Sequence, residues 1–470
     1  MRHAKIVCTL GPASSSLENV KALIQAGMNV ARLNFSHSDH ALHRKVYDTV
    51  RQAARELNQS VAILADLCGP KIRIGDVEGG EITIEKGQTI KITSRELLGN
   101  KTVISTNFKE LPKNVKPGLP LLIDDGNIEL IVRNVVGEDI ECEVRVGGLV
   151  KNHKGLNIPF VKLPIPALTE KDKKDLVFAK ELGVDYFALS FVQSPEDIKE
   201  AKALAGDIPI IAKMEKPSAI EHMEAIIEAA DGIMVARGDL ALEVGAEKVP
   251  SIQKKLIRET NNRGKPVVVA TQMLESMIQN PHPTRAEVSD VANAVLDGAD
   301  ALMLSAETAV GKYPVDAVKT MACVISEAEK NACSTGVLFK PEKIKDGGFR
   351  QAITHATAAL TIDLNLKAVV VGSGSGKSVA LLSTYRPHTI IAGFSLYEKV
   401  LNRMALYWGV IPIKAEFVKD IEATMALAEK KLKAHDLASK GDEIAVISGY
   451  ASFGDWSALE SVAVRLWRVQ

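Results

Sequence analysis

Apolar and polar positions along this chain follow two alternating patterns. Short apolar runs bounded by turn residues read as buried strands, and apolar residues spaced three and four apart read as helices. Lys5–Leu10, Asn29–Ser36 and Val61–Leu67 are the first three strands. Helices over Leu17–Ala26, stopped by Gly27, and over Asp39–Leu57 separate them. From Gly69 to about Pro164 no good helical pattern appears. Segments such as EITIEKGQTIKITS and GNIELIVRNVV suit strands, cut by turns at Glu78-Gly79-Gly80, Asp125-Gly126, Gly137-Glu138-Asp139 and Gly147-Gly148. A compact all-β unit is therefore inserted into a β/α series.

The series resumes at Thr169, an N-cap with Asp172 three residues on. Strands are expected over Val184–Val192, Ile208–Glu215, Gly232–Ala236, Pro266–Thr271 and Ala301–Ser305. Helices fall near 170–182, 195–205, 217–229, 247–263, 285–297 and 314–330. With the first three strands this makes eight β/α units, which predicts a parallel barrel rather than a doubly wound sheet. After about Pro341 a further α/β unit follows, with strands at Leu366–Val371, Thr389–Phe394, Val410–Ile413, Glu443–Ser448 and Ser461–Val469. Its segment LKAVVVGSGSGKSVA is strand, glycine-rich loop and helix. Val371 stands where a P-loop has its leading Gly, so an NTPase is not expected.

Composition changes the picture little. A chain of 470 residues is too long for one core and implies about three domains. Basic and acidic residues balance at 58 each, so no bulk field recruits nucleic acid or an anionic membrane, and any anion must meet local clusters. Cys8, Cys68, Cys142, Cys323 and Cys333 are odd in number and lack C-x-x-C spacing, which argues against zinc or a disulfide framework and suits a reducing cytoplasm. The N-terminal apolar run is too short for a signal peptide, and no stretch approaches the ~20 apolar residues of a membrane span.

Active sites of such barrels lie at the carboxyl ends of the strands. There Arg32, Asn34 and Ser36, spaced by two, share one face of the second strand. A cation, an amide and a hydroxyl suit a phosphate or an ion, or else an internal hydrogen-bonded layer. Lys213 and Glu215 share a face in the same way. Glu215 and Asp239, the latter just past Gly232–Ala236 in DGIMVARGDL, end neighbouring strands about 4.8 Å apart. Two such carboxylates can share an octahedral Mg²⁺; the bland alternative is a buried Lys–Glu ion pair. Lys213 could stabilise charge on a transferring group or enolate, or form a Schiff base, and spacing does not decide. Thr271 offers a hydroxyl to orient or relay a proton, or merely caps a turn. Ser305 and Glu307, two apart at the eighth strand, read as support for the site.

These motifs resemble the pyruvate kinase family. The matching runs are KIVCTLGPAS, NVARLNFSHS, GPKIR, LIDDG, DGIMVARGDL and the long ATQMLESMIQNPHPTRAEVSDVANAVLDGADALMLSAETAVGKYP. The resemblance implies a (β/α)8 TIM barrel over 1–68 and 165–340, an inserted β-barrel lid over 69–164 and a C-terminal α/β regulatory domain over 341–470. It also implies a cytoplasmic homotetramer that moves phosphoryl from phosphoenolpyruvate to ADP, giving pyruvate and ATP. Glu215 and Asp239 then look like ligands of Mg²⁺ (or Mn²⁺), Arg32 like a phosphate clamp, and Lys213 like the transition-state stabiliser. Backbone N–H groups of Gly238 and Asp239 resemble a carboxylate seat, and Thr271 the residue placed where the enolate is protonated. Asn34, Arg73 and Lys154 resemble nucleotide contacts.

Two departures stand out. Members that need K⁺ bind it through residues like Asn34, Ser36 and Asp66 and the backbone of a Thr, where this chain has Leu67. They also carry an acid where this chain has Lys71, so weak or absent K⁺ dependence is expected. In the C-terminal unit Ser373, Ser375, Lys377 and Ser378 of the GSGSGKS loop face the region where the family binds a phosphorylated effector, but the partner loop GYASFGDWSALESV departs from the usual glycine- and threonine-rich form. The nearest rival is a barrel enzyme of aldolase or mutase type acting on phosphoenolpyruvate or a 2-oxo acid. A non-catalytic metabolite sensor is the rival from another class.

Overall fold

The apolar runs become strands, and the residues at their polar ends peel away into the mouth of a barrel. The structure, a computed structural model, describes residues 2–161, 165–335, 348–416, 418, 420–449 and 462–470. It begins with β1 (Lys5–Thr9), α1 (Leu17–Ala26), β2 (Val30–Asn34), α2 (His40–Glu56) and β3 (Ala62–Asp66). Ser16 and Asp39 cap the two helices by accepting from backbone N–H groups three residues on, and Gly27, at φ 125°, ends α1.

The inserted unit follows as β4 (Glu81–Ile84), β5 (Thr89–Thr93), β6 (Val103–Ser105), α3 (Leu111–Asn114), β7 (Pro120–Ile123), β8 (Ile128–Val136), β9 (Asp139–Val146), β10 (Gly148–Lys151) and β11 (Leu156–Asn157). A six-stranded sheet, β11-β7-β8-β9-β5-β6, and a two-stranded one, β10-β4, share one core that includes Ile84, Ile92, Leu121, Leu130, Cys142 and Val150. The expectation of no helix here is corrected by the single turn α3, whose Pro112 sits where a helix start needs no N–H.

The barrel resumes through α4 (Glu170–Leu182), β12 (Tyr186–Leu189), α5 (Pro195–Ala205), β13 (Ile210–Met214), α6 (Pro217–Glu221), α7 (Met223–Ala229), β14 (Gly232–Ala236), α8 (Arg237–Val244), α9 (Val249–Asn261), β15 (Val267–Ala270), α10 (Arg285–Leu296), β16 (Ala301–Leu304), α11 (Ala306–Ala309) and α12 (Pro314–Thr335). Thr169 and Asp172 form the expected capping box on α4. Eight parallel strands close in the order β1-β16-β15-β14-β13-β12-β3-β2. Alternation sends Val7, Leu64, Tyr186, Ile211, Met234 and Val268 inward, while Ile6, Leu33, Ile63, Phe187 and Leu189 pack outward against the helices.

Three expectations are corrected. The helix predicted over 217–229 breaks at His222, whose backbone (φ −97°, ψ 20°) leaves the helical region. No helix was expected between 229 and 247, yet α8 begins at Arg237, because Leu240, Glu243 and Val244 follow at helical spacing and are buried. Strand β16 stops at Leu304, so Ser305 and Glu307 lie in the next turn and not two apart on a strand face.

The C-terminal unit comprises α13 (Gly348–Asp363), β17 (Ala368–Gly372), α14 (Lys377–Thr384), β18 (Ile390–Ser395), α15 (Glu398–Met404), β19 (Val410–Lys414), α16 (Ile421–Ala434), β20 (Glu443–Gly449) and β21 (Val462–Arg468). Its sheet runs β19-β18-β17-β20-β21, with β21 antiparallel. This unit closes the barrel floor. Ala405 and Leu406 join the interior cluster, and the Tyr186 hydroxyl donates to the Arg403 carbonyl at 2.7 Å. Arg386, fully buried beneath Trp408, pairs with Asp300 at 2.7 Å and donates to the Gly298 carbonyl at 2.8 Å. Among the described residues no helix is long and apolar enough to cross a membrane, and Cys8, Cys68, Cys142 and Cys323 are free thiols.

Removing one partner of a buried ion pair leaves the other uncompensated. Arg386→Leu is therefore expected to cost about 3–5 kcal/mol of stability in denaturant unfolding, and Asp300→Asn in the same chain to recover part of it. A loss below about 1 kcal/mol contradicts the role of this pair in joining floor and barrel.

Candidate active site

At the opposite, carboxyl end of the barrel, the period-two placement of Lys213 and Glu215 puts both side chains into one buried cluster. The Lys213 ammonium lies 3.0 Å from Glu215 Oε1, 3.3 Å from Asp66 Oδ1, and donates to the Ser190 hydroxyl at 2.7 Å. Asp66, at the end of β3, spends its other oxygen on Arg32: Nε donates to Oδ2 at 2.6 Å, while Nη1 donates to the Thr9 hydroxyl at 2.9 Å. Three adjacent strands thus fix Arg32 by two of its nitrogens and leave Nη2 facing the mouth. Burial works to lower the Lys213 pKa, but Asp66 and then Glu215 outweigh it and hold the ammonium above its usual range. Burial likewise works against Asp66, yet Lys213 and Arg32 hold it below the usual carboxylate range.

Glu215 differs. The Phe191 N–H donates to its Oε2 at 2.8 Å, but Oε1 is buried and accepts no well-aligned hydrogen bond, because Lys213 stands beside it off axis. Burial pushes its carboxyl up, Lys213 pulls it down, and the charge of Asp239 adds to the push; the net direction is upward. A buried carboxylate with an open oxygen, strained by a second carboxylate, fits a divalent cation. Among the described residues no three His, Cys, Asp or Glu side chains are arranged to hold a metal ion by themselves. Protein ligation by two carboxylates, with water and substrate oxygens completing the shell, suits Mg²⁺ or Mn²⁺.

Asp239 lies in the first turn of α8, not at a strand end, beside the unpaired N–H groups that make a helix start an anion site. The Gly238 N–H is already engaged: it donates to the Thr271 hydroxyl at 2.8 Å, which itself donates to the Ala270 carbonyl at 2.6 Å. Thr271 sits at φ 70°, a strained conformation for a β-branched residue. Arg237 holds it there, donating to the Thr271 carbonyl at 2.6 Å while paired through Nη1 with both oxygens of Asp290. Glu307 accepts from the backbone N–H groups of Ser305 and Leu274 and so pins the neighbouring turn.

The four residues of the expected K⁺ set come together only in part. Ser36 lies past the end of β2, and its N–H donates to Asn34 Oδ1 at 3.2 Å; the Leu67 carbonyl accepts from Ser190 at 2.7 Å; both oxygens of Asp66 face cations. Lys71 stands elsewhere, its ammonium 3.9 Å from Asp239 Oδ1. Arg73 donates to the His153 carbonyl at 2.9 Å, next to Lys154, which pairs with Asp124 at 2.7 Å. Burial, then Arg73, Arg32 and Lys71, hold the His37 imidazole below its usual pKa. In the GSGSGKS loop the Ser373 hydroxyl accepts from the Gly376 N–H at 2.8 Å and Ser378 is buried, which leaves Ser375 and Lys377 exposed at the start of α14. The partner loop lies almost wholly outside the described residues.

Sequence reasoning missed Thr9, Ser190 and the Phe191 N–H. Ser190 carried a faint signal, a lone hydroxyl ending the apolar run YFAL.

The comparisons agree with this geometry. The family described as pyruvate kinase, barrel domain, matches residues 1–318, and pyruvate kinase, alpha/beta domain, matches 351–456. Pyruvate kinases of Corynebacterium efficiens and Mycobacterium tuberculosis are 44% and 42% identical over 452 residues, covering 95% of this chain and 94% and 95% of theirs. A crystal structure of a pyruvate kinase from Cryptosporidium parvum matches with a TM-score of 0.90 at 35% identity, over 100% of this chain and 96% of that one. On this likeness in sequence and in fold, the chain belongs to the pyruvate kinase family.

Proposed function

We infer that this chain transfers the phosphoryl group of phosphoenolpyruvate to ADP, giving pyruvate and ATP. The observation that carries the reading is the Lys213–Asp66–Arg32 cluster beside the open oxygen of Glu215. Arg32, braced by Asp66 and Thr9, presents its remaining N–H groups to the phosphoryl oxygens. The start of α8 seats the substrate carboxylate, and Thr271 fixes that seat through the Gly238 N–H. Mg²⁺ or Mn²⁺ held by Glu215 and Asp239 supplies Lewis-acid neutralisation of substrate oxygens when bound.

In the reaction the bond from phosphorus to the enol oxygen breaks as one forms to a terminal oxygen of ADP. Lys213 stands where charge grows on the enolate oxygen and stabilises it as a fixed ammonium. The enolate carbon then takes a proton to give pyruvate. The Thr271 proton is committed to the Ala270 carbonyl, so delivery by this residue requires the hydroxyl to turn. Arg73 and Lys154 offer charge to the nucleotide phosphates from the inserted unit, with Asn34 on the barrel side. The cytoplasmic homotetramer and the effector contact at Ser375 and Lys377 belong to the same reading.

An aldolase needs a neutral amine for a Schiff base. The ammonium of Lys213, ringed by Asp66 and Glu215 and held above its usual pKa, is the reverse.

A coupled assay of pyruvate formation is expected to require phosphoenolpyruvate, ADP and a divalent cation together; turnover in excess chelator overturns the reading. Lys213→Met is expected to lower kcat by about 10²–10³-fold, and borohydride with pyruvate to leave Lys213 unmodified. A trapped adduct at Lys213 favours the aldolase instead.

Asn34 Oδ1, the Leu67 carbonyl and both oxygens of Asp66 already have protein partners, and Lys71 places a fixed charge near Asp239. At constant ionic strength, replacing tetramethylammonium by K⁺ is therefore expected to change kcat less than about twofold. Activation by an order of magnitude contradicts it.

A further inference from the structure

Helix α8 has work at both ends. Its first turn carries Asp239 and the carboxylate seat; its last carries Leu242 and Glu243, which touch the inserted unit. A Cβ added at Gly126, in the tip between β7 and β8, would lie 3.0 Å from the Leu242 side chain. Glu243 is fully buried, and its Oε1 accepts from the Lys216 ammonium at 2.6 Å and from Asn157 Nδ2, on β11 of the inserted unit, at 3.3 Å. Its Oε2 is buried without a hydrogen-bond partner. Burial pushes the Glu243 carboxyl up despite the pull of Lys216, so this acid is kept where it is at a cost that its apolar surroundings do not relieve.

Lys216 extends the connection. Its ammonium lies 5.5 Å from the centre of the Phe191 ring, and the Phe191 N–H is the donor that holds Glu215 Oε2. Phe191 is at φ 55°, and its ring closes on Gly69, the residue through which the chain leaves the barrel for the inserted unit. Lys216, Phe191 and Asn157 also line a narrow crevice of about 30 Å³ between the two connecting segments, together with Pro70 and Lys71. One buried carboxylate therefore joins the returning chain to the helix that seats the substrate, and its partner Lys216 stands over the ring that closes on the departing chain.

We propose that Glu243 and Lys216 are a positioning pair that latches the inserted unit onto α8, so that nucleotide capture by the lid depends on them although neither touches substrate. The inference rests on the phosphoenolpyruvate–ADP reading. Phosphoenolpyruvate meets the barrel mouth through Arg32, Lys213 and α8, whereas the cations offered to ADP at Arg73 and Lys154 ride on the inserted unit. Loosening the latch therefore weakens the second substrate selectively. A merely structural acid would lower stability without that selectivity.

The test uses Glu243→Gln, which removes the charge and keeps the shape, and Asn157→Ala, which removes the contact from the lid side. The KM for ADP is expected to rise about tenfold or more in Glu243→Gln, and several-fold in Asn157→Ala, with the calorimetric Kd for phosphoenolpyruvate within twofold of the parent. The double variant is expected to be no worse than Glu243→Gln alone. Amide hydrogen exchange over 124–127 and 153–158 is expected to quicken in both. An ADP KM that stays put in folded variants, or that rises in step with the phosphoenolpyruvate Kd, overturns the latch. Unchanged exchange overturns it whatever the turnover. Failure of the parent chain to make pyruvate counts against the function, and the exchange result still decides the latch. Should Glu243→Gln not fold, Asn157→Ala carries both readouts.

Discussion

A lysine ammonium held between two buried carboxylates sets the terms for the rest of this molecule. Lys213 compensates Asp66 and Glu215 together, and without it Asp66 still has Arg32 while Glu215 depends on a bound cation, because an uncompensated charge at that depth is costly. Arg32 adds a cation to Asp66, while Asp239 and Lys71 complete the cluster. Three cations, Arg32, Lys213 and Lys71, thus face three carboxylates, Asp66, Glu215 and Asp239. The protein alone offers a multiply charged phosphate no net positive charge at this point. Glu215 Oε1, which meets Lys213 without a well-aligned hydrogen bond, is where a divalent ion would correct the balance.

The scaffold serves that balance. Adjacent strands β2, β3, β12 and β13 deliver Arg32, Asp66, Ser190 and Lys213 within a few ångströms, a precision that ladder hydrogen bonds give and loops do not. At the same rim Phe191 and Thr271 both take positive φ, a strained backbone for residues of their kind. At the far end the Arg386–Asp300 pair and the packing of Ala405 and Leu406 into the interior cluster join the C-terminal unit to the floor.

Much of this was legible in the letters. Period two put Lys213 and Glu215 on one face, and eight apolar runs with helices between them announced the barrel. What stayed hidden depends on contacts between residues far apart in the chain. Asp239 was placed just past Gly232–Ala236, where it lies, but the helix that begins there went unread, because it shows only in the burial of Leu240 and Val244. Ser36 and Glu307 were assigned to strands that end two and three residues earlier, since the ladder stops where the mouth begins. The Phe191 N–H carries no side-chain signal at all. That the long chain of Lys71 reaches Asp239 could not be read from its place in GPKIR.

The central claim is that Glu215, opposite Lys213, is a metal ligand and not merely half of an ion pair. Titration of the chain with Mn²⁺, followed by its electron paramagnetic resonance signal, addresses this without turnover. The account predicts one Mn²⁺ bound by the parent chain, retained in Lys213→Met and lost in Glu215→Gln. Undiminished binding by a folded Glu215→Gln chain would contradict it.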